Sequence, residues 1–325
     1  MTAPLTIGMI SSYGGLTQRD WLWSQTPHPC GRWGKIQILA PAQNPDYLLL
    51  YNFHDFPTEP TPIPLGQRWR RSVRAQRQAQ VERNAQVRDR LAQLPKERII
   101  SLVREPPFPE KERDRRTAYA QAQHYCGYVS GPDDWAPTPE PMPAIWYYNR
   151  GFRELDSLGP PEKTERCCWI TSGINRTQCH RDRLAFLKLL RDTETPFDLY
   201  GRGLPAWAQG RGELVNKANA LGPYYYNLAI ENYADNDWYV SEKLWDALLG
   251  WCLPIYHGGS AADRLLPPGS FLRLPSLDAA GAAYLREVTS TLDAWHEAQE
   301  AIAEARQIIL HQLNLVHWLS EFVNA

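Results

Sequence analysis

The densest run of chemically useful side chains in this 325-residue sequence begins at Glu231-Asn232. A short polar loop follows, then Tyr239, Ser241, Glu242 and Lys243 ahead of the apolar residues 244–249. The spacing predicts a strand, a loop and a helix that Ser241 caps, its side chain accepting from the free N–H groups of the first turn. Such a helix start carries partial positive charge and suits a phosphate. Glu242 offers two acceptor oxygens to the paired hydroxyls of a ribose, and Lys243 can set a full positive charge on a diphosphate. A Glu-Lys pair at a helix start is also ordinary capping, so spacing alone leaves both readings open.

These residues must be positioned by the elements around them. Residues 7–10, 35–39 and 47–51 read as short strands bounded by Gly, Pro and Asn. Residues 67–94 contain no Gly or Pro and read as a long helix. Over residues 66–98, ten Lys/Arg stand against three Asp/Glu, which makes a solvated basic face or a contact for an anionic membrane or lipid-linked substrate. Residues 98–103 read as a buried strand stopped by Glu105-Pro106-Pro107, and the proline-rich stretch 132–143 as a loop. Beyond it, strands are expected at 166–171, 197–200, 225–230 and 252–256, with helices at 181–191 and 241–249 and a wholly helical last 40 residues. Strands alternating with helices in both halves imply two doubly wound α/β domains, with residues 1–160 in one and 161–325 in the other. Open α/β sheets bind ligands beyond the carboxyl ends of their strands, where the 231–243 segment falls.

Composition narrows the partners. A net charge of −1 argues against a general nucleic-acid binder. No run of 18 apolar residues and no secretory pattern is visible, so a cytoplasmic protein without a membrane anchor is expected. The six cysteines, two of them adjacent at Cys167 and Cys168, fit neither a disulfide framework nor a zinc spacing.

The segment Ile230-Glu231-Asn232, Tyr239-Val240-Ser241-Glu242-Lys243-Leu244-Trp245-Asp246-Ala247-Leu248 and Pro254-Ile255-Tyr256-His257-Gly258 resembles the donor-binding signature of the family 10 glycosyltransferases, the α-1,3/4-fucosyltransferases. Leu266-Pro267-Pro268-Gly269-Ser270-Phe271 downstream and Asp198-Leu199-Tyr200-Gly201-Arg202 upstream fit the same pattern, so the likeness covers about residues 166–274. The resemblance implies a GT-B architecture of two Rossmann-like domains facing across a cleft, the N-terminal one for the acceptor and the C-terminal one for the donor. It implies inverting transfer of L-fucose from GDP-β-L-fucose to an N-acetylglucosamine-containing oligosaccharide or lipid-linked glycan. Neither a cofactor nor an obligatory metal is implied, a divalent ion being at most stimulatory; Asp235-Asn236-Asp237 is the nearest thing to a metal motif and reads as a solvated loop.

By the same resemblance, Lys243 and an arginine serve the diphosphate, Glu242 the ribose, and Asn232, Tyr239, Glu231 and Ser241 lie near the nucleotide. Arg183, with Phe186 and Leu190, fits the family's Arg-x-x-Phe-x-x-x-Leu pattern, and Arg181 is the alternative. The catalytic base falls on Glu105, with Glu110 and Glu112 as substitutes. Departures are Arg104 and Pro106 beside the base, Tyr225 for a usual lysine, and Ile230 for a phenylalanine. Two other readings stay open: a transferase for another nucleotide sugar, and a catalytically silent nucleotide- or glycan-binding protein.

Overall fold

In the computed structural model, which describes residues 3–13, 21–39, 42–59 and 71–324, the strands fall into two sheets. Each sheet belongs to its own unit: one of residues 1–23, 30–105 and 110–140, the other of residues 24–29, 106–109 and 141–325.

The elements of the first unit are β1 (Leu5–Ile10), α1 (Trp21–Ser24, whose last residue belongs to the second unit), β2 (Arg32–Trp33), β3 (Ile36–Leu39), β4 (Tyr47–Tyr51), α2 (Arg71–Leu91), β5 (Ile99–Leu102), α3 (Glu112–Tyr125), β6 (Tyr128–Gly131) and β7 (Thr138–Pro139). The sheet runs β2-β3-β1-β4-β5-β6-β7, parallel except for the β2–β3 edge pair. All four residues of β5 are buried, as a strand covered on both faces requires. The core gathers Leu48, Leu50, Phe53, Phe56, Ile99, Val103, Tyr119 and Val129.

One sequence expectation changes here, and two helices show what the sequence did not announce. The proline-rich stretch is not all loop, because Thr138 and Pro139 pair with Ser130 and Gly131. Pro139 is tolerated because β7 is an edge strand that needs no donor there. Helix α3 has no apolar stripe to announce it. Its buried face is Arg115, Tyr119 and Ala122, and the Arg115 guanidinium and Tyr119 hydroxyl both donate to Asp133, at 2.6 and 2.8 Å. Helix α2 is polar on nearly every side, with Leu91 its one buried residue, while the predicted start at residues 67–70 lies outside the described residues.

The second unit contains α4 (Phe152–Ser157), β8 (Glu165–Ile170), α5 (Gln178–Asp192), β9 (Asp198–Tyr200), α6 (Ala218–Leu221), β10 (Tyr224–Ile230), α7 (Glu242–Leu249), β11 (Leu253–His257), α8 (Ala261–Leu265) and β12 (Leu272–Arg273). Helices α9 (Ala279–Val288), α10 (Asp293–Glu297), α11 (Gln299–His311) and α12 (Leu315–Phe322) follow, so the C-terminal region is helical, as expected, in a succession of separate helices. The sheet is all parallel in the order β12-β11-β10-β8-β9.

The boundary read at residue 160 moves to 140. Residues 141–160 pack on the second unit because its C-terminal helices need them: Ala144 exchanges backbone hydrogen bonds with Leu313 and Leu315. Arg306 of α11 is buried and donates to the carbonyls of Leu155, Leu158 and Leu249 while stacking over Trp251.

Candidate functional site

Where β8 and β10 end and α5 and α7 begin, the second unit holds a cavity of about 350 Å³. Of the residues singled out from the sequence, Arg183, Asn232, Glu242 and Lys243 line it. Glu231, Ser241 and Tyr239 do not; they are buried behind the wall and shape it.

Helix α7 starts where it does because Ser241, in extended backbone, accepts from Lys243 N–H. Glu231, the residue after β10, receives the Ser241 backbone N–H at 2.7 Å and its hydroxyl at 2.5 Å. Tyr256 O–H and Lys243 Nζ each approach the same carboxylate at 3.4 Å. Lys243 Nζ also donates to Ser241 Oγ at 3.1 Å and lies 3.7 Å from Glu242. The ammonium is thereby held on one side and open to the cavity on the other, its side chain 18% exposed.

Helix α5 is opened by a reciprocal capping box between Thr177 and His180, and it brings Arg183 to the cavity at 2% exposure. One terminal nitrogen of the guanidinium donates to Asn232 Oδ1 and the other to the Ser172 carbonyl at 3.2 Å. Burial pulls Arg183 down from its ordinary pKa, with the Tyr239 phenol acting the other way. Arg181 points to solvent and donates to Gln178 at 2.8 Å. Helical spacing therefore puts only Arg183 at the cavity.

Two further cavity residues had no role in the sequence reading. Asp246, 2% exposed, accepts from Tyr147 N–H at 2.7 Å and from Lys217 Nζ at 2.6 Å. Burial raises the Asp246 pKa and Lys217 opposes that rise. An acid one turn after Glu242, among Leu244, Trp245 and Ala247, was the available signal for Asp246. Lys217, far off in sequence, carried none.

Glu105 lies in the first unit, half-buried just beyond β5. It accepts a hydrogen bond from Tyr13, whose pKa rises through burial first and Glu105 second. His54 is shifted down by burial, and the charge of Glu105 works against that shift. Arg104 turns its guanidinium to the Tyr51 hydroxyl at 3.1 Å and its backbone N–H to Asn52. Glu110 is exposed, and Glu112 pairs with Arg116.

The sequence departures in β10 are absorbed by packing. The Tyr225 hydroxyl donates to the Lys163 carbonyl and its ring meets Trp295 edge-on, while Ile230 is buried. In the 235–237 loop, Asn236 Oδ1 accepts the N–H groups of Trp238 and Tyr239, and Asp237 accepts from Ser260. Among the described residues, no three His, Cys, Asp or Glu side chains converge as a metal site would require.

Residues 160–298 match the C-terminal region of glycosyltransferase family 10 (fucosyltransferase). The α-(1,3)-fucosyltransferase C of Drosophila melanogaster is 31% identical over 114 residues, which is 34% of this chain and 24% of that protein. The 4-galactosyl-N-acetylglucosaminide 3-α-L-fucosyltransferase 9 of Cricetulus griseus is 27% identical over 135 residues, 39% of this chain and 34% of its own length. The match thus spans between a quarter and a third of these relatives. In fold, a DNA-modifying β-glucosyltransferase superposes with a TM-score of 0.51, covering 99% of this chain and 100% of that one at 10% identity.

Proposed function

Because the chain belongs to glycosyltransferase family 10 through residues 160–298 and has a two-sheet α/β fold of the GT-B type, we propose that it transfers L-fucose from GDP-β-L-fucose to a glycan hydroxyl with inversion. The observation that carries this reading is the convergence of Arg183 and Lys243 on one cavity that Glu242 also lines.

In the proposed reaction the acceptor oxygen attacks the anomeric carbon from the face opposite the diphosphate. The bond from that carbon to the phosphate oxygen breaks, GDP leaves, and the acceptor proton passes to Glu105. Arg183 and Lys243 stabilise the charge that grows on the diphosphate, a preorganised effect strongest in a site that excludes water. Glu242 holds the ribose hydroxyls. Two fixed cations and a helix start supply what a metal would otherwise supply, so the proposed reaction runs in a chelator.

The acceptor is proposed to be an N-acetylglucosamine-containing oligosaccharide or lipid-linked glycan, as in the family the sequence resembles. A cytoplasmic location is part of the same reading. Exposed Arg71, Arg74 and Arg77 on α2 would give loose contact with an anionic membrane face, which co-sedimentation with anionic vesicles tests. Among the described residues, no helix is long and apolar enough to cross a membrane.

The deciding experiment incubates the protein with GDP-fucose, other GDP-sugars and UDP-sugars against a panel of glycans, with mass detection. A gain of one deoxyhexose with GDP-fucose alone supports the reading. Transfer from a UDP-sugar instead, or nucleotide binding with no transfer from any donor, overturns it.

A further inference from the structure

Two buried polar atoms at the cavity have no protein partner: Thr171 Oγ1 and Arg183 Nε. Thr171 is 9% exposed and Arg183 2%. A buried donor left unpaired is costly, so two at one cavity call for an explanation. Both sit on constrained scaffolds. Thr171 is the first residue after β8, and its N–H donates to the Tyr200 carbonyl at 2.9 Å. Its own carbonyl sits so close to Gly201 that a Cβ there would come within 1.5 Å. The backbone is therefore pinned, and the side chain is left at the cavity wall. Arg183 has its two terminal nitrogens committed to Asn232 and to Ser172, the neighbour of Thr171, which leaves Nε as the donor without a protein acceptor.

A guanidinium N–H, a hydroxyl and the Lys243 ammonium on one cavity make a set of donors that an anion with several oxygens completes. We propose that Thr171 is a ligand residue, its hydroxyl donating to a phosphate oxygen of the nucleoside diphosphate beside Arg183 Nε. The proposal rests on the donor reading above and adds to it a contact made by a neutral residue outside the charged set.

Thr171→Val keeps the shape and the β-branch and deletes the hydroxyl. Thr171→Ser keeps the hydroxyl. Calorimetric titration of wild type and both variants uses GDP, guanosine and UDP, with thermal melts of the free proteins alongside. The expected result is GDP binding at least tenfold weaker in Thr171→Val, about 1.4 kcal/mol or more, and within about threefold of wild type in Thr171→Ser. Guanosine affinity is expected to be equal in all three, and the Thr171→Val melting temperature unchanged or raised, since an unpaired buried hydroxyl is gone. A Thr171→Val protein that binds GDP like wild type overturns the proposal, as does one that loses guanosine and GDP equally. A variant that melts lower and regains GDP affinity on cooling assigns the hydroxyl to structure and also overturns it. Should wild type take UDP rather than GDP, the donor reading falls while Thr171 is judged on UDP by the same criteria. Should wild type bind neither diphosphate, both fall.

Discussion

Glu231 accepts two hydrogen bonds from Ser241, one from its backbone N–H and one from its hydroxyl. A buried carboxylate at the end of one strand thus fixes the first turn of the next helix, and with it the direction of Lys243. Glu231→Gln replaces one acceptor oxygen with a donor facing Ser241 Oγ or Lys243 Nζ. Losing a hydrogen bond to a buried charge predicts a destabilisation of about 1.5–3 kcal/mol in urea unfolding, together with weaker nucleotide binding. Unchanged unfolding would make this network incidental to α7.

Arg183 and Arg181 differ by two positions on one helix and point to opposite environments. Arg183→Ala and Lys243→Ala are each expected to lose roughly 2–4 kcal/mol of transition-state stabilisation, the scale of one preorganised charged group. Arg181→Ala is expected within about threefold of wild-type kcat/KM, a difference below roughly 1 kcal/mol. Steady-state kinetics on the three variants decide it, and the reverse ranking would remove Arg183 from the donor site.

Glu105→Gln preserves shape and hydrogen bonding but not basicity. Transfer is expected to fall about 10²–10⁴-fold, the usual contribution of a general base. GDP affinity is expected to hold, because the cavity is lined wholly by residues of the other unit. A variant that transfers normally would pass the role to Glu110 or Glu112.

Arg306 is a buried cation that donates to three backbone carbonyls. Arg306→Ala leaves those carbonyls unpaired and opens a cavity beneath Trp251, at a cost of roughly 3–5 kcal/mol. Urea unfolding monitored by tryptophan fluorescence measures it. A loss under about 1 kcal/mol would show that α11 is held by its apolar face alone.

His257, at the end of β11, is shifted down chiefly by burial and also by the Arg273 charge, against a hydrogen bond to the Leu274 backbone. A base whose folded pKa lies below its unfolded value binds its proton later in the folded state. Stability is therefore expected to fall as pH drops below about 6.5, where the unfolded chain protonates first, and to stop falling from this cause once the folded pKa is passed. His257→Gln should flatten the fall in stability just below pH 6.5 in pH-dependent thermal melts. An unaltered profile would assign the slope to other groups.

The parallel strands and the start of α7 were legible because their signals are local. Tyr47–Tyr51 is a continuous apolar run, and Ser241 ahead of Glu242 is a cap followed by an amphipathic helix. Physical periodicity reaches no further than one element; here it placed Glu242 and Lys243 at a helix start, and only the family resemblance gave them roles. The choice of Arg183 over Arg181 needed the helical phase, which the packing of Phe186, Leu187 and Leu190 decides.

The sequence by itself determined two doubly wound halves and the polar segment after β10, while it left Arg183 and Arg181 as alternatives. Only the tertiary structure decided that Glu231 and Ser241 stand behind the cavity wall, and that Lys217 joins Asp246 across 29 residues. It likewise decided that residues 141–160 serve the second unit and that α3 buries an arginine beside Asp133. The reason is common to all four. Each depends on a polar group finding its partner on another element, and a polar partnership leaves no period in the sequence, whereas an apolar face does.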